Sequence, residues 1–262
     1  MNFNQLESTI HSLVNKVMDH FSIFIRTADG NITINAHEPR KAASVIKFPM
    51  LIEAFRQIEN KTLNPDALVY IENTMRVGGA GIISYLTNLN IYSYKNLLEL
   101  MIIVSDNTAA NIILDKIGSQ NVNTLSTRLK CMETYIGRKF MDQKAQMNGI
   151  ENYTSAVDMV HYLELIAKPN VIISENSRMQ ILDILSHQQF KDKLPYYLLD
   201  DDNIDIFHKT GELPGIEHDV ALLNYKEQTV YAVILTEGFE NNAHGKKYIS
   251  EIGKYLIEYI KY

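Results

Sequence analysis

The chain has 262 residues, 46% of them hydrophobic, which suits one large globular domain or two lobes sharing a core and argues against disorder. A net charge of −6 with no block of Lys and Arg argues against nucleic acid and anionic membranes as partners. The single cysteine, Cys131, excludes an intrachain disulfide and is compatible with a reducing compartment.

Residues 1–21, MNFNQLESTIHSLVNKVMDHF, predict an amphipathic helix with Phe3, Leu6, Ile10, Leu13 and Val17 on one side. The stretch lacks the apolar core and small-residue cleavage site of a signal peptide. No segment of the chain reaches the roughly 18 apolar residues of a membrane span, so a cytoplasmic location is expected. Next, FSIFIRTADGNITINAH predicts a hairpin, with strands over residues 21–26 and 31–35 around a turn containing Asp29, Gly30 and Asn31. From about residue 44 to 190 the pattern is mostly helical. Leu97, Leu98, Met101 and Ile102 follow helical spacing, as do Val157, Val160, Leu163 and Ile166, and Ser155 with Asp158 resembles a capping box.

From about residue 204 the runs NIDIFHKT, HDVALLNY and TVYAVILTEG predict three strands. A last helix places Ile249, Ile252, Leu256 and Ile260 on one stripe. Sequential strands joined by short turns imply an α+β fold. Its antiparallel sheet has the terminal helices on one face and the helical section on the other. The expected organisation is a single domain over residues 1–262, with a sheet lobe of about 1–43 and 196–262 and a helical lobe of about 44–195. A pocket is expected at the seam.

One lysine stands out. In AASVIKFPM a helix sets Ser44 and Lys47 on one face, one turn apart. A charged lysine on a core-facing stripe costs several kcal/mol, on the order expected for an unpaired buried ion. Either it snorkels to water or it has a chemical task. Two further short motifs follow, Ser105-Asp106-Asn107 between two helices and Lys209-Thr210-Gly211 on the first late strand. Each alone is common: a helix with a solvated lysine, a helix N-cap, a strand-end turn.

In this order the three resemble the set S-x-x-K, S-D-N and K-T-G of class A β-lactamases and penicillin-binding proteins. The resemblance covers nearly all of the chain and extends to NTAANIILDKIG and HDVALL. It implies a serine hydrolase that opens β-lactams through an acyl-Ser44 intermediate, without metal or cofactor. Lys47 would take the Ser44 proton, and Ser105 would relay it to the leaving nitrogen. Asn107 would hold the substrate's side-chain amide and orient Lys47. Lys209 and Thr210, with Gly211, would bind a substrate carboxylate. The backbone N–H groups of Ser44 and Glu212 would form the oxyanion hole. The partner is then a small acyl substrate, a β-lactam or another ester or amide. A cytosolic esterase or peptidase-like hydrolase, or a binding homologue with weak catalysis, remains as the alternative.

The chain departs from the family where a glutamate should activate the deacylating water. No E-x-x-L-N pattern occurs in IGRKFMDQKAQMNGIENYTSAVDM; counted from Arg138, Phe140 falls at the glutamate's place. Asp142 and Glu151 are the nearest carboxylates, and Asp142 is either a substitute base or a loop charge paired with Arg138 or Lys139. Without a base, deacylation slows by roughly 10²–10⁴. VGGAGII, residues 77–83, replaces an aromatic gate, and Gly78, Gly79 and Gly81 suggest either a mobile loop or a plain turn. His208 and His218 either line the cleft or are structural. No H-E-x-x-H, G-x-S-x-G or phosphate-loop pattern is present, and Cys131 has no marked partner.

Overall fold

A computed structural model describes residues 1–262. In chain order the elements are α1 (Phe3–Val14), β1 (Phe21–Arg26), β2 (Asn31–Ile34), β3 (Arg40–Lys41), α2 (Lys47–Glu59), β4 (Leu68–Tyr70), β5 (Ile91–Ser93), α3 (Tyr94–Ile103) and α4 (Asn107–Ile117). There follow α5 (Ser119–Arg128), α6 (Gln143–Met147), β6 (Tyr153–Thr154), α7 (Ala156–Ala167) and α8 (Glu175–Ser186). The chain ends with β7 (Asp205–Leu213), β8 (Ile216–Tyr225), β9 (Gln228–Glu237) and α9 (Asn242–Ile260).

The main sheet has the order β2-β1-β9-β8-β7, antiparallel throughout. Its inner strands are buried on both faces, so they read as nearly continuous apolar runs. The alternation still sorts the residues. Ile23, Ile25, Ala221, Leu223, Ala232 and Ile234 meet the terminal helices, where Leu6 and Ile10 of α1 and Ile252 and Leu256 of α9 cover them. Phe24, Val220, Leu222, Val233 and Leu235 face the other way, into the core built from α2, α3, α4, α7 and α8. The expected layering is therefore the observed one. No helix is long and apolar enough to cross a membrane.

Local departures have local causes. The first helix stops at Val14, because a 3₁₀ stretch over Asn15–His20 breaks at Val17 and turns the chain into β1. Val17 still packs against the core on that face. At the start of the helix, Asn2 and Gln5 form the reciprocal cap that their spacing allows. The Ser155–Asp158 box is only half made. Ser155 Oγ accepts the Asp158 N–H, but the Asp158 carboxylate turns away to accept Glu133 N–H at 2.9 Å and Thr134 Oγ1–H at 2.8 Å.

His218 ties the sheet to the chain before α2. Its Nε2–H donates to Lys41 O at 2.8 Å, and its Nδ1 lies between Glu217 O at 2.8 Å and the Thr236 N–H at 3.1 Å. Burial holds its pKa down, from 6.5 to about 4. Between those values the unfolded chain binds the extra proton, so stability falls as pH drops from about 6.5 toward 4. The expected loss from this one group is about 3 kcal/mol. Urea unfolding at pH 7 and pH 4 measures it, and His218→Gln should flatten that part of the profile.

Candidate active site

Ser44 sits in a 3₁₀ turn, Ala43–Ile46, whose last carbonyls run directly into α2. Ala43 adopts φ +45°, a strained value for a residue with a side chain, of the kind concentrated at functional sites. The turn packs against the edge strand β7. A side chain on Gly211 would press against Val45 and Ala43, which accounts for glycine in the third motif.

Lys47 is fully buried as the first residue of α2. Its Nζ lies 2.7 Å from Ser105 O, 2.8 Å from Asn107 Oδ1, and 3.1 Å from each of Ser44 Oγ and Ser105 Oγ. The first two oxygens can only accept. A neutral amine has two N–H bonds and one lone pair. Donating to both carbonyls leaves the lone pair facing the two hydroxyls. Burial first, then repulsion by Lys209, holds the Lys47 pKa well below the usual lysine value, against an opposing pull from Asp106.

Ser105, held at φ +56°, bridges the two lysines, since its Oγ is also 3.2 Å from Lys209 Nζ. Lys209 is itself fully buried, and burial with repulsion from Lys193 lowers its pKa to about 7. Asp106 is structural: its carboxylate caps α4 at Ala109 N–H and accepts the N–H groups of Ile82 and Ile83.

The glycine loop is thus pinned rather than loose. Asn107 donates to Gly78 O, Thr108 Oγ1 accepts the Val77 N–H, and Gly81, at φ +109°, lies so close to Asp106 that a Cβ would meet its Cα at 2.4 Å. Close backbone approach demands the glycine at Gly81, while a side chain on Gly78 would meet open space.

Two cavities, of about 660 and 410 Å³, meet at Ser44, Ala80 and Glu212. Asn107, Phe140 and Glu151 line the larger; Ser105, Thr210, Lys193 and Lys246 line the smaller. Of the expected residues, Ser44, Ser105, Asn107, Thr210 and Glu212 line these cavities, Lys47 and Lys209 reach their hydroxyls from the buried side, and Gly211 packs behind Ser44 against Ala43 and Val45.

Phe140 fills the ground beside Lys47. Asn111 clamps its backbone, accepting Phe140 N–H at 2.8 Å and donating to Phe140 O at 3.0 Å, and the ring centroid lies 4.4 Å from Lys47 Nζ. Asp142 lines neither cavity; its carboxylate caps α6 at Ala145 N–H. Its suggested partners are taken elsewhere, Arg138 by Glu151 at 2.7 Å and Lys139 by Asp115. Glu151 does line the larger cavity, nearly buried against Arg138. His208 pairs with Asp219, and neither His208 nor His218 lines the two cavities. Cys131 is buried away from the site, where burial pushes its thiol pKa far up. Lys193 and Lys246 lie outside the three motifs and carry no sequence signal of their own.

Solved structures similar to this chain include a beta-lactamase from Sphaerobacter thermophilus DSM 20745, with TM-score 0.89 and 21% identity over 98% of this chain and 97% of that one. A mutant of PBP-A in an acyl-enzyme complex with penicillin G matches with TM-score 0.86 and 23% identity, again over 98% and 97%. A beta-lactamase from Chitinophaga pinensis DSM 2588 matches with TM-score 0.85 and 17% identity over 97% and 98%. No curated protein matches the sequence. At these identities the neighbours establish the fold. Membership rests on the sequence model of the beta-lactamase enzyme family, which matches residues 5–260, and to that family the chain belongs.

Proposed function

We propose that the protein is a serine hydrolase that opens β-lactams through an acyl-Ser44 intermediate and releases the acyl group slowly. The observation that carries this reading is the fully buried Lys47 Nζ, 3.1 Å from both the Ser44 and Ser105 hydroxyl oxygens and within 2.8 Å of two carbonyl oxygens, a setting in which a neutral amine can turn its lone pair to the hydroxyls. Ser44 Oγ attacks the lactam carbonyl as Lys47 takes its proton. The C–N bond then breaks, and the proton passes through Ser105 to the leaving nitrogen. Asn107 orients Lys47 and the substrate amide. Lys209, Thr210 and Gly211 receive the carboxylate. The N–H groups of Ser44 and Glu212 hold the oxyanion; losing one such donor costs roughly 10²–10³ in rate.

Slow release follows from Phe140. An aromatic ring beside Lys47 can neither accept a proton nor orient a water. The acyl-enzyme complex of a PBP-A mutant with penicillin G supports the substrate class.

The test compares a penicillin with a small activated ester, following chromophore loss under single-turnover conditions. Fast acylation by penicillin followed by a slow steady rate is expected. Ester turnover without any penicillin reaction would replace this reading with that of an esterase. Lys47→Ala should slow acylation by about 10²–10⁴ while the protein keeps its fold at somewhat lower stability, since the change leaves a cavity and two buried acceptors without their donor.

A further inference from the structure

Lys193 is the third buried lysine at the site, and the acyl transfer above gives it no task. It sits between α8 and β7, 2% exposed, with Nζ 2.5 Å from Glu217 Oε2, 2.9 Å from Gly211 O and 3.2 Å from His218 O. Glu217 is 1% exposed and its other oxygen accepts from Asn242 Nδ2 at 2.8 Å. Asn242 in turn holds the β7–β8 turn, donating to Leu213 O and Ile216 O and accepting the Gly215 N–H. Burying such a pair brings little stability, because desolvation offsets the attraction. Burial first, then repulsion from Lys193, lowers the Lys209 pKa.

The contact with Gly211 O suggests what it does instead. Gly211 C=O and Glu212 N–H belong to one peptide unit. No peptide bond in the chain is cis, so the two groups point in opposite directions from one rigid plane. Whatever fixes the carbonyl aims the N–H. Glu212 lines both cavities together with Ser44. Gly211 has no side chain to restrict its own ψ, and its carbonyl, in register with His218 of β8, gains from Lys193 a second donor beyond the sheet pairing. The Glu212 side chain gives no help, since it leans out to Lys246.

We infer that Lys193 is a positioning residue: held by Glu217, it anchors the Gly211 carbonyl and so turns the Glu212 N–H toward the oxyanion formed at Ser44. This rests on the acyl-Ser44 reading. It makes the oxyanion hole depend on a residue outside every motif.

The test uses the paired variant Lys193→Met/Glu217→Gln, which removes both charges together and so leaves no unpaired buried ion. It should unfold cooperatively near the wild-type temperature. Acylation by penicillin should fall about 10²-fold, as for a lost oxyanion donor. The infrared band of the acyl-ester carbonyl should move to higher wavenumber, because a weaker hydrogen bond polarises the C=O less. Lys193→Met alone, in which Glu217 can take up a proton, should give the same shift from a second protein. Glu217→Gln alone leaves the Lys193 amine on Gly211 O, and its band should stay at the wild-type position. A folded Lys193→Met protein of either kind with an unmoved carbonyl band overturns the inference, even if it acylates slowly. A wild-type protein that takes no acyl group overturns the acyl-Ser44 reading and this inference with it.

Discussion

Phe140→Glu should shorten the lifetime of the penicillin adduct by about 10²–10⁴-fold, the worth of a positioned general base. Asn111 fixes the backbone of residue 140 from both its N–H and its carbonyl, so the new side chain starts from the same place as the ring. The ring centroid is 4.4 Å from Lys47 Nζ, and a carboxylate there lies beside the cavity that Ser44 lines. It can accept a proton from a water placed against the acyl carbonyl. The gain carries a cost. The new negative charge favours the protonated form of Lys47, so acylation should slow while deacylation speeds up. Phe140→Gln separates the effects, since an amide can hold a water but cannot take its proton. Its adduct should last about as long as the wild-type one. Decay is read by intact mass after removal of free drug. An unchanged lifetime in folded Phe140→Glu would mean that release is limited elsewhere; Glu151 and Glu212 are the native carboxylates that line the larger cavity.

Ser44→Ala should abolish acyl transfer, with a loss on the order of 10⁵–10⁶ in rate, as when the nucleophile of a serine hydrolase is removed. Stability should barely change. Ser44 Oγ is only one of four oxygens around Lys47 Nζ, and both carbonyl acceptors remain. Labelling by an active-serine probe reports the loss, and circular dichroism confirms the fold. Label retained by Ser44→Ala would remove Ser44 as the nucleophile.

The sheet was legible because its strands are short runs rich in β-branched and aromatic residues. Val220 and Ala221 show how adjacent residues must face different cores once both sides are covered. The end of α1 was not legible, because nothing in the apolar stripe records the break at Val17. The motif residues could be read because their types recur at fixed local spacings. Their distances could not: Ser105 between Lys47 and Lys209 joins positions 58 and 104 residues apart in the chain. Phe140 could be placed only by counting from Arg138, and its ring against Lys47 is a tertiary fact. Lys193 was invisible for a related reason. A lone lysine in a loop reads as solvated, and only folding brings Glu217 and Gly211 around it. The glycines of residues 77–83 were visible but ambiguous, since sequence does not separate looseness from close approach.

The most direct measurement is intact-protein mass spectrometry of the wild-type chain mixed with a penicillin, followed over time, with the modified peptide identified. Opening a lactam on serine expels no atoms, so the expected gain is the full mass of one drug molecule, on the peptide containing Ser44, persisting long after free drug is removed. A protein that gains no mass and consumes no drug, or that carries the adduct on another residue, would contradict the account.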